Sequence, residues 1–568
     1  MYSWILTHTR VIRSRVQDDF RSDPLLRYIL LLSLLVSGFW FWWRIPNFAT
    51  VDEFNRIGQS MKIGRYLINP SPETVQQAAD VGIGKDASVY LHGLVLFPLF
   101  VAVVIMGQLD TLIAASSTES NIVLWNTVPE WFWTTALILT RLLNVCLVVC
   151  SVYMVYRIGT VLADRQAGKI AALFTSLSLA VIHTAHEVNE DTPAMFLLLV
   201  VLYLSIRYVQ TDNSQFFLIG CALGGLAIAF KLTAGIAVIF LGFAYLLTAL
   251  EKSDPISAFY QPKILFYGCL LGISFIYVGI PNLLLRGPEW FIGVRLSGQT
   301  VEKTTIGSTP QGYSALLAYL NGLGLPLLIA TASGAVSNIY RYIRNKEWKC
   351  EEFILLLGII AYLLVFFVFW SNFKTHHVLP SIPLLMISLG IAFSKHIHDR
   401  TNLARIALVG ILLTTVLYSG FGLVQFTDDP RDEATEWLKT EADTDEVMTI
   451  FGNSPPQAGL VHGQSIDHFQ FGQTYDPGDP YTEWVISTPD RKPEYIQTTT
   501  SIRNENQFPR RSEFNTRLID GDRFDYSVAA EFGERSKAQS SYEKILYAGI
   551  KPKIEKRYDY VLILKHNY

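Results

Sequence analysis

Five ionisable side chains crowd into His183-Thr184-Ala185-His186-Glu187-Val188-Asn189-Glu190-Asp191. On a helix, His183, His186, Glu187 and Glu190 would share one face. Imidazoles and carboxylates together can hold a divalent cation such as Mg2+ or Mn2+. The plainer alternative is a polar turn at a membrane boundary, where ionisable groups cost less than at the bilayer centre. A second acidic motif, Thr50-Val51-Asp52-Glu53-Phe54, follows the first apolar run. Alone, Asp52 and Glu53 read equally well as solvated acids that complement a helix N-terminus. Cations complete the set. Lys231 sits at the junction of two apolar runs in GLAIAFKLTAG, Lys374, His376 and His377 in SNFKTHHVLPSIP, and Arg141 inside its apolar run in LTRLLN. Snorkelling would account for Lys231 and Lys374. The combination nevertheless has a chemistry of its own. A carboxylate can take the proton of an attacking hydroxyl, a contribution of roughly 10²–10⁴ in rate. Clustered cations can neutralise a departing phosphate.

These groups can act together only if the chain brings them to one face. Of the 568 residues, 50% are hydrophobic and 17% charged, where a soluble domain carries about 25% charged residues. Mean hydropathy is +0.29. Several runs reach the ~20 apolar residues that cross a hydrocarbon core of about 30 Å. The composition therefore specifies a polytopic α-helical membrane protein. A net charge of −3 gives no sign of a nucleic-acid partner. The five cysteines lie in or beside apolar runs, and none follows Cys350, so no disulfide framework is expected. The start is polar and basic (Arg10, Arg13, Arg15), and the first apolar run begins near Leu25, which does not read as a cleavable signal.

Basic loops set the orientation. Arg157, Arg165 and Lys169, then Arg341, Arg344, Lys346 and Lys349, then Lys395, Arg400 and Arg405 should face the cytoplasm. Crossings are expected at 25–43, 131–157, 167–184, 193–210, 215–230, 233–250, 263–280, 313–336, 353–370, 378–394 and 405–425, about 11 in all. Parity then keeps the whole loop 44–130 outside, and makes 89–106 (His92 and Pro98 within it) a membrane-lying or re-entrant helix. A pair of crossings with a hidden return is the alternative. Asp52, the 183–191 motif, Lys231 and the 374–377 loop then share the outer face. From about residue 427 the composition changes. DDPRDEATEWLKTEADTDEV reads as an acidic amphipathic helix, and VMTIF, EWVIS and YDYVLIL as short strands between turns such as DPGDP. The expected layout is a membrane domain, 1–426, and an extracytoplasmic, soluble α/β domain, 427–568.

The order of these motifs resembles the GT-C superfamily of membrane glycosyltransferases, in its protein O-mannosyltransferase and aminoarabinose-transferase-like branch (glycosyltransferase family 39-like). The likeness rests on VDEF, TRLLN, NEDTPAMF, GLAIAFKLTAG, IPNLLLRGPEWF, HHVLPSIPLL and DDPRDEATEWL, and spans most of the membrane part. The resemblance implies a sugar, mannose or another hexose, moved from a polyprenyl- or dolichyl-phosphate to a hydroxyl on a protein, lipid or glycan. It implies a multi-pass protein of the plasma membrane with its site on the extracytoplasmic side. It implies Asp52 as the catalytic base with Glu53 beside it. Glu190 and Asp191, with His186 and Glu187 near them, would support the site or a metal. Lys231, Lys374, His376, His377 and Arg141 would meet the donor phosphate. One departure is the lysine and histidines before the LPSIP run, where such proteins often carry arginine. No WWDYG-like motif occurs, which argues against an oligosaccharyltransferase.

Two other classes compete. A lipid-linked-sugar transporter or flippase would show internal repeats and broken helices near the midplane, and no repeat is visible here. A nucleotide-sugar enzyme could use the DxD of Asp443-Thr444-Asp445, but that motif sits in a solvated acidic stretch on the outer side.

Overall fold

The computed structural model describes residues 2–68, 71–81, 86–117, 121–297, 312–345, 350–364, 374–398, 402–442, 447–449, 458–464, 466–468, 493–498, 518–519, 525–534, 541–554 and 560–567. Each apolar run read as a crossing is helical over most of its described residues. Among the described residues, seven helices are long and apolar enough to span a membrane. The count becomes eight if Arg165–Leu177 and Leu179–Ala185, bent by 58° at Ser178, are one broken span. Pro24–Gly38 and Ser214–Phe230 are apolar but shorter. Among the described residues the expected number of about 11 is therefore not reached by long helices alone: one run is the bent pair, two form shorter helices, and 353–370 passes out of the described residues after 364. The 89–106 run forms the continuous Asp86–Ile105 helix, with Pro98 inside it. Its length and apolarity suffice for a span.

The helices pack through close backbone approaches. A Cβ on Gly225 would lie 2.1 Å from Gly272 O, and one on Gly390 2.4 Å from Ala167 O. The bend at Ser178 and the break at Lys231 position the site. Ser214–Phe230 stops at Lys231, which is extended (φ −152°), and a 3-10 turn at Leu232–Gly235 leads into Ile236–Leu250. Ile280 and Leu283 of the IPNLLL motif pack with Ala229, Phe230 and Ala234 around this break.

Beyond the last apolar helix, Asn402–Val424, the acidic stretch forms the Pro430–Glu441 helix. Strands β1 (Val447–Thr449), β2 (Ile466–His468), β3 (Tyr495–Thr498), β4 (Tyr526–Gly533) and β5 (Tyr560–His566) make a mixed sheet in the order β2-β1-β3-β5-β4. β1 is parallel to β2 and β3, whereas β5 is antiparallel to β3 and β4. The VMTIF and YDYVLIL runs thus enter the sheet; EWVIS and Asp443-Thr444-Asp445 lie outside the described residues. Leu438, Val447, Tyr495, Val561 and Ile563 share one apolar core with Phe48, Phe54 and Trp125 of the long loop and Trp133 in the first turn of the Glu130–Leu162 helix. The sheet is therefore built onto the same loop that carries Asp52.

Candidate active site

The Val51–Ile68 helix begins at a Thr-x-x-Glu signature. Thr50 Oγ1 accepts the Glu53 N–H at 3.3 Å, and Glu53 Oε2 reaches back to accept the Ala49 N–H at 2.8 Å. Both Glu53 oxygens are then taken by Arg141, with Nε donating to Oε1 at 2.8 Å and Nη2 to Oε2 at 2.9 Å. Oε1 also accepts the Val188 N–H at 3.1 Å. Arg141 Nη1 donates to the carbonyls of Phe41 and Trp43 at 2.9 and 2.5 Å. Both side chains of this pair are 0% exposed. Arg141 lies inside the Glu130–Leu162 helix, so a two-pronged charged contact joins that helix, the start of Val51–Ile68 and the 187–190 turn. Asp52, one residue earlier, stays partly exposed. The adjacent carboxylates thus have different environments.

One turn after Asp52, the buried Arg56 donates through Nη2 to Glu190 Oε2 at 2.8 Å. Asp191 opens the next helix, Asp191–Thr211, whose first turn is capped by Asn189 Oδ1 accepting the Thr192 N–H at 2.9 Å. The Asp191 carboxylate accepts from Lys231 Nζ. Two oppositely ordered ion pairs, Arg56–Glu190 and Asp191–Lys231, therefore meet at consecutive residues. His183 Nε2 lies 2.9 Å from Glu187 Oε1. His186 stacks on Phe426 with ring centroids 4.0 Å apart, its nitrogens against the carbonyls of Phe39 and Ile182. Burial drives the His186 pKa down to about 4, against the upward pull of those two carbonyls.

The expected residues divide as follows. Glu53, Arg141 and the 187–191 turn are joined by hydrogen bonds, and Lys231 joins them through Asp191. The short Thr375–Val378 helix packs against Leu179–Ala185 and Tyr313–Asn345. Lys374 and His376 are partly exposed there, while His377 is buried and its Nδ1 accepts the Lys374 N–H at 3.1 Å. Arg141, expected to face a donor phosphate, is instead fully buried and committed to Glu53 and two carbonyls. His186 packs against Phe426 rather than pointing to a metal. Glu190 and Asp191 are engaged by Arg56 and Lys231, and Glu187 lies against His183. Among the described residues no three His, Cys, Asp or Glu side chains converge on a point where a metal could sit. The described carboxylates and imidazoles are each engaged as above and give no ready-made seat for Mg2+ or Mn2+.

Three contributions go beyond the roles that the sequence motifs suggest. Arg56 has a signal, its spacing of one helical turn from Asp52. Asn144, which donates to Glu187 O, has none. The third is the DDPRDEATEWL segment, which clamps the loop just before Asp52. Arg431 binds Asp429 with both prongs, at 3.0 and 2.8 Å, and donates to Ala49 O at 3.1 Å. Trp43 Nε1 donates to Asp429 Oδ2 at 3.1 Å. Arg44 pairs with Asp432 at 2.7 Å and donates to Ala458 O. Burial pushes the Asp429 carboxyl up, and the guanidiniums of Arg431 and Arg44 more than reverse it, leaving it below the usual aspartate range.

Residues 134–277 match the family model described as dolichyl-phosphate-mannose-protein mannosyltransferase. The likeness read from the motifs is borne out over that segment, which holds Arg141, the 183–191 turn and Lys231 but not Asp52. No curated protein matches the chain. Among solved structures, the apo oligosaccharyltransferase of Archaeoglobus fulgidus aligns with a TM-score of 0.49 at 11% identity, covering 96% of this chain and 89% of that one. The same enzyme, AglB, with an inhibitory peptide and a dolichol-phosphate aligns at TM-score 0.46 and 11% identity, with the same coverage. ArnT from Cupriavidus metallidurans bound to undecaprenyl phosphate aligns at TM-score 0.44 and 12% identity, covering 96% of this chain and 98% of that one.

Proposed function

We propose that this chain is a membrane glycosyltransferase that moves one sugar, mannose or another hexose, from a polyprenyl or dolichyl phosphate to a hydroxyl acceptor. The acceptor belongs to a protein, a lipid or a glycan, and the site faces the extracytoplasmic side of the plasma membrane. The family match over residues 134–277 supports a lipid-phosphate donor. The observation that carries the reading is the divergence of two neighbouring carboxylates. Glu53 is sealed in a buried contact with Arg141, whereas Asp52, fixed in sequence beside it in the first turn of Val51–Ile68, is partly exposed. A general base needs that combination of fixed position and access.

In the proposed reaction, the Asp52 carboxylate takes the acceptor's hydroxyl proton. The hydroxyl oxygen bonds to the anomeric carbon as the bond from that carbon to the phosphate oxygen breaks. The lipid phosphate leaves with the electron pair, and the anomeric configuration inverts. Lys231 and Lys374, the latter at the N-cap of the short Thr375–Val378 helix, supply positive charge for the departing phosphate, and His376 a hydrogen-bonding ring nitrogen. Lys231 donates to Asp191, which holds its ammonium in place. Arg141 and Glu53 act by positioning.

The test uses membranes carrying the full chain and defined polyprenyl-phosphate sugars, with the glycosylated product identified by mass spectrometry. Asp52→Asn is expected to abolish transfer while the chain remains folded in the membrane; full activity in that variant would sink the assignment. Lys231→Ala is expected to raise the donor concentration needed for half-maximal rate, and an unchanged donor dependence would remove Lys231 from the site. A transporter would instead translocate the lipid-linked sugar without forming a glycosylated product.

A further inference from the structure

The Ser541–Ile550 helix has two faces of different character. Its inner face, Ala548 and Gly549, is buried. A Cβ on Gly549 would come 3.0 Å from Leu325 Cβ, so the two backbones touch there. Tyr418 of the Asn402–Val424 helix donates to Ala548 O at 2.8 Å and to Leu320 O at 2.9 Å. The outer face carries Tyr542 (74% exposed), Leu546 (48%), Tyr547 (44%) and Ile550 (66%). Lys544 and Lys551 flank that stripe, and Glu543 falls within it near the helix start.

The depth of this helix follows from the crossing it leans on. Tyr313–Asn345 has its basic end at Arg341 and Arg344 and is kinked at Gly324 (φ +71°). From Asn345 back to Leu325 the helix rises about 30 Å at ~1.5 Å per residue. That distance matches a hydrocarbon core of about 30 Å. With the arginine end at one face, the opposite face of such a core falls near Leu325, against which Ser541–Ile550 packs. The two crossings it packs against carry exposed apolar residues as well, Ile329 and Val336 on one and Leu417 and Phe421 on the other. Tyrosines and flanking lysines at the edge of an apolar stripe suit an interface with lipid headgroups.

We infer that Ser541–Ile550 is an interfacial helix that docks the C-terminal α/β layer onto the bilayer surface, with Tyr542, Leu546, Tyr547 and Ile550 among the lipid headgroups and upper chains. The docking is joined to the site's scaffold. Gln425 Nε2 donates to Pro552 O at 2.5 Å and its Oε1 accepts the Ile554 N–H at 3.1 Å. Ile554 in turn packs with Trp43, Ala49 and Phe426, ahead of Asp52.

The test places a benzophenone amino acid singly at Tyr542, Leu546 and Ile550, and at Lys439 on the Pro430–Glu441 helix as a solvent-exposed control. The full chain is reconstituted in vesicles of phosphatidylcholine with a minority of phosphatidylglycerol and irradiated. Lipid adducts on the peptides carrying positions 542, 546 and 550, and none at 439, are expected. Crosslinks to a second protein chain, or no lipid adduct at 542, 546 and 550, would overturn the inference. All four positions are exposed, so the probe leaves folding intact.

Discussion

Glu53 and Asp52 differ by one position in the sequence and by their whole environment in the fold. Glu53 accepts from two backbone N–H groups and from both prongs of a guanidinium, without exposure to water. Removing its charge leaves Arg141 buried and uncompensated, a change that costs on the order of 3–5 kcal/mol. Glu53→Gln should therefore lower the thermal midpoint in detergent sharply and reduce activity with it, whereas Asp52→Asn should shift the midpoint far less. Adding Arg141→Met to Glu53→Gln should recover part of the loss, because two uncharged groups no longer leave one charge stranded. A midpoint for Glu53→Gln equal to the parent's would refute the positioning role. The sequence carried half of this distinction. Thr50-Val51-Asp52-Glu53 is a legible helix start, and a glutamate at its fourth position belongs to the cap. The partner, Arg141, was visible only as a cation near the acids and drew the wrong partner, a phosphate. A pairing across 88 positions of chain has no local signature.

Among the elements, the strongest coupling is between the loop before Asp52 and the start of the Pro430–Glu441 helix. Ala49 is held from both sides, its N–H by Glu53 and its carbonyl by Arg431. Arg431 is fixed in turn by Asp429, whose carboxyl is held below the ordinary aspartate value of about 3.9. The folded state consequently binds fewer protons here than the unfolded chain as pH drops past that value. The contact's contribution is complete above about pH 4 and is lost as pH falls further. Asp429→Asn should lower stability near neutral pH and flatten the acid limb of a stability-versus-pH curve; an unaltered acid limb would place the pH sensitivity elsewhere. Most elements were legible because apolar runs announce themselves. The breaks were less so. Nothing in TSLSLAVIH marks a 58° bend, which arises where Ser178 leaves helical backbone (ψ 121°) and its hydroxyl donates to Gly322 O at 3.3 Å. The break at Lys231 was readable, since a lysine and a glycine interrupt two apolar runs.

At the scale of the whole molecule, the sequence places a boundary near residue 427 and the packing runs through it. Composition separates the two sides because one meets lipid and the other water. Packing joins them because the long loop exposes an apolar surface that lipid does not cover. Phe48, Phe54, Trp125 and Trp133 are buried together with Leu438, Val447, Leu460, Tyr495 and Ile563. Polar contacts follow the same seam. His462 Nε2 lies 2.8 Å from Trp125 O, and Asn126 Nδ2 donates to Gln464 O at 2.7 Å. Each large aromatic side chain left uncovered forfeits about 1.5–3 kcal/mol of burial, and several are uncovered at once if the sheet is absent. A chain ending at residue 426 should therefore fail to give a monodisperse, cooperatively melting protein, even though every apolar crossing is retained. Supplying 427–568 as a separate polypeptide in the same cell should restore part of the folded yield, since the contacts need proximity rather than a peptide bond. The measurement is size-exclusion profile and thermal midpoint of the membrane part with and without the added piece. A truncated chain that melts at the full chain's midpoint would show that the crossings fold alone, and the loop carrying Asp52 would then owe its order to Arg141 and Glu53 without help from the sheet.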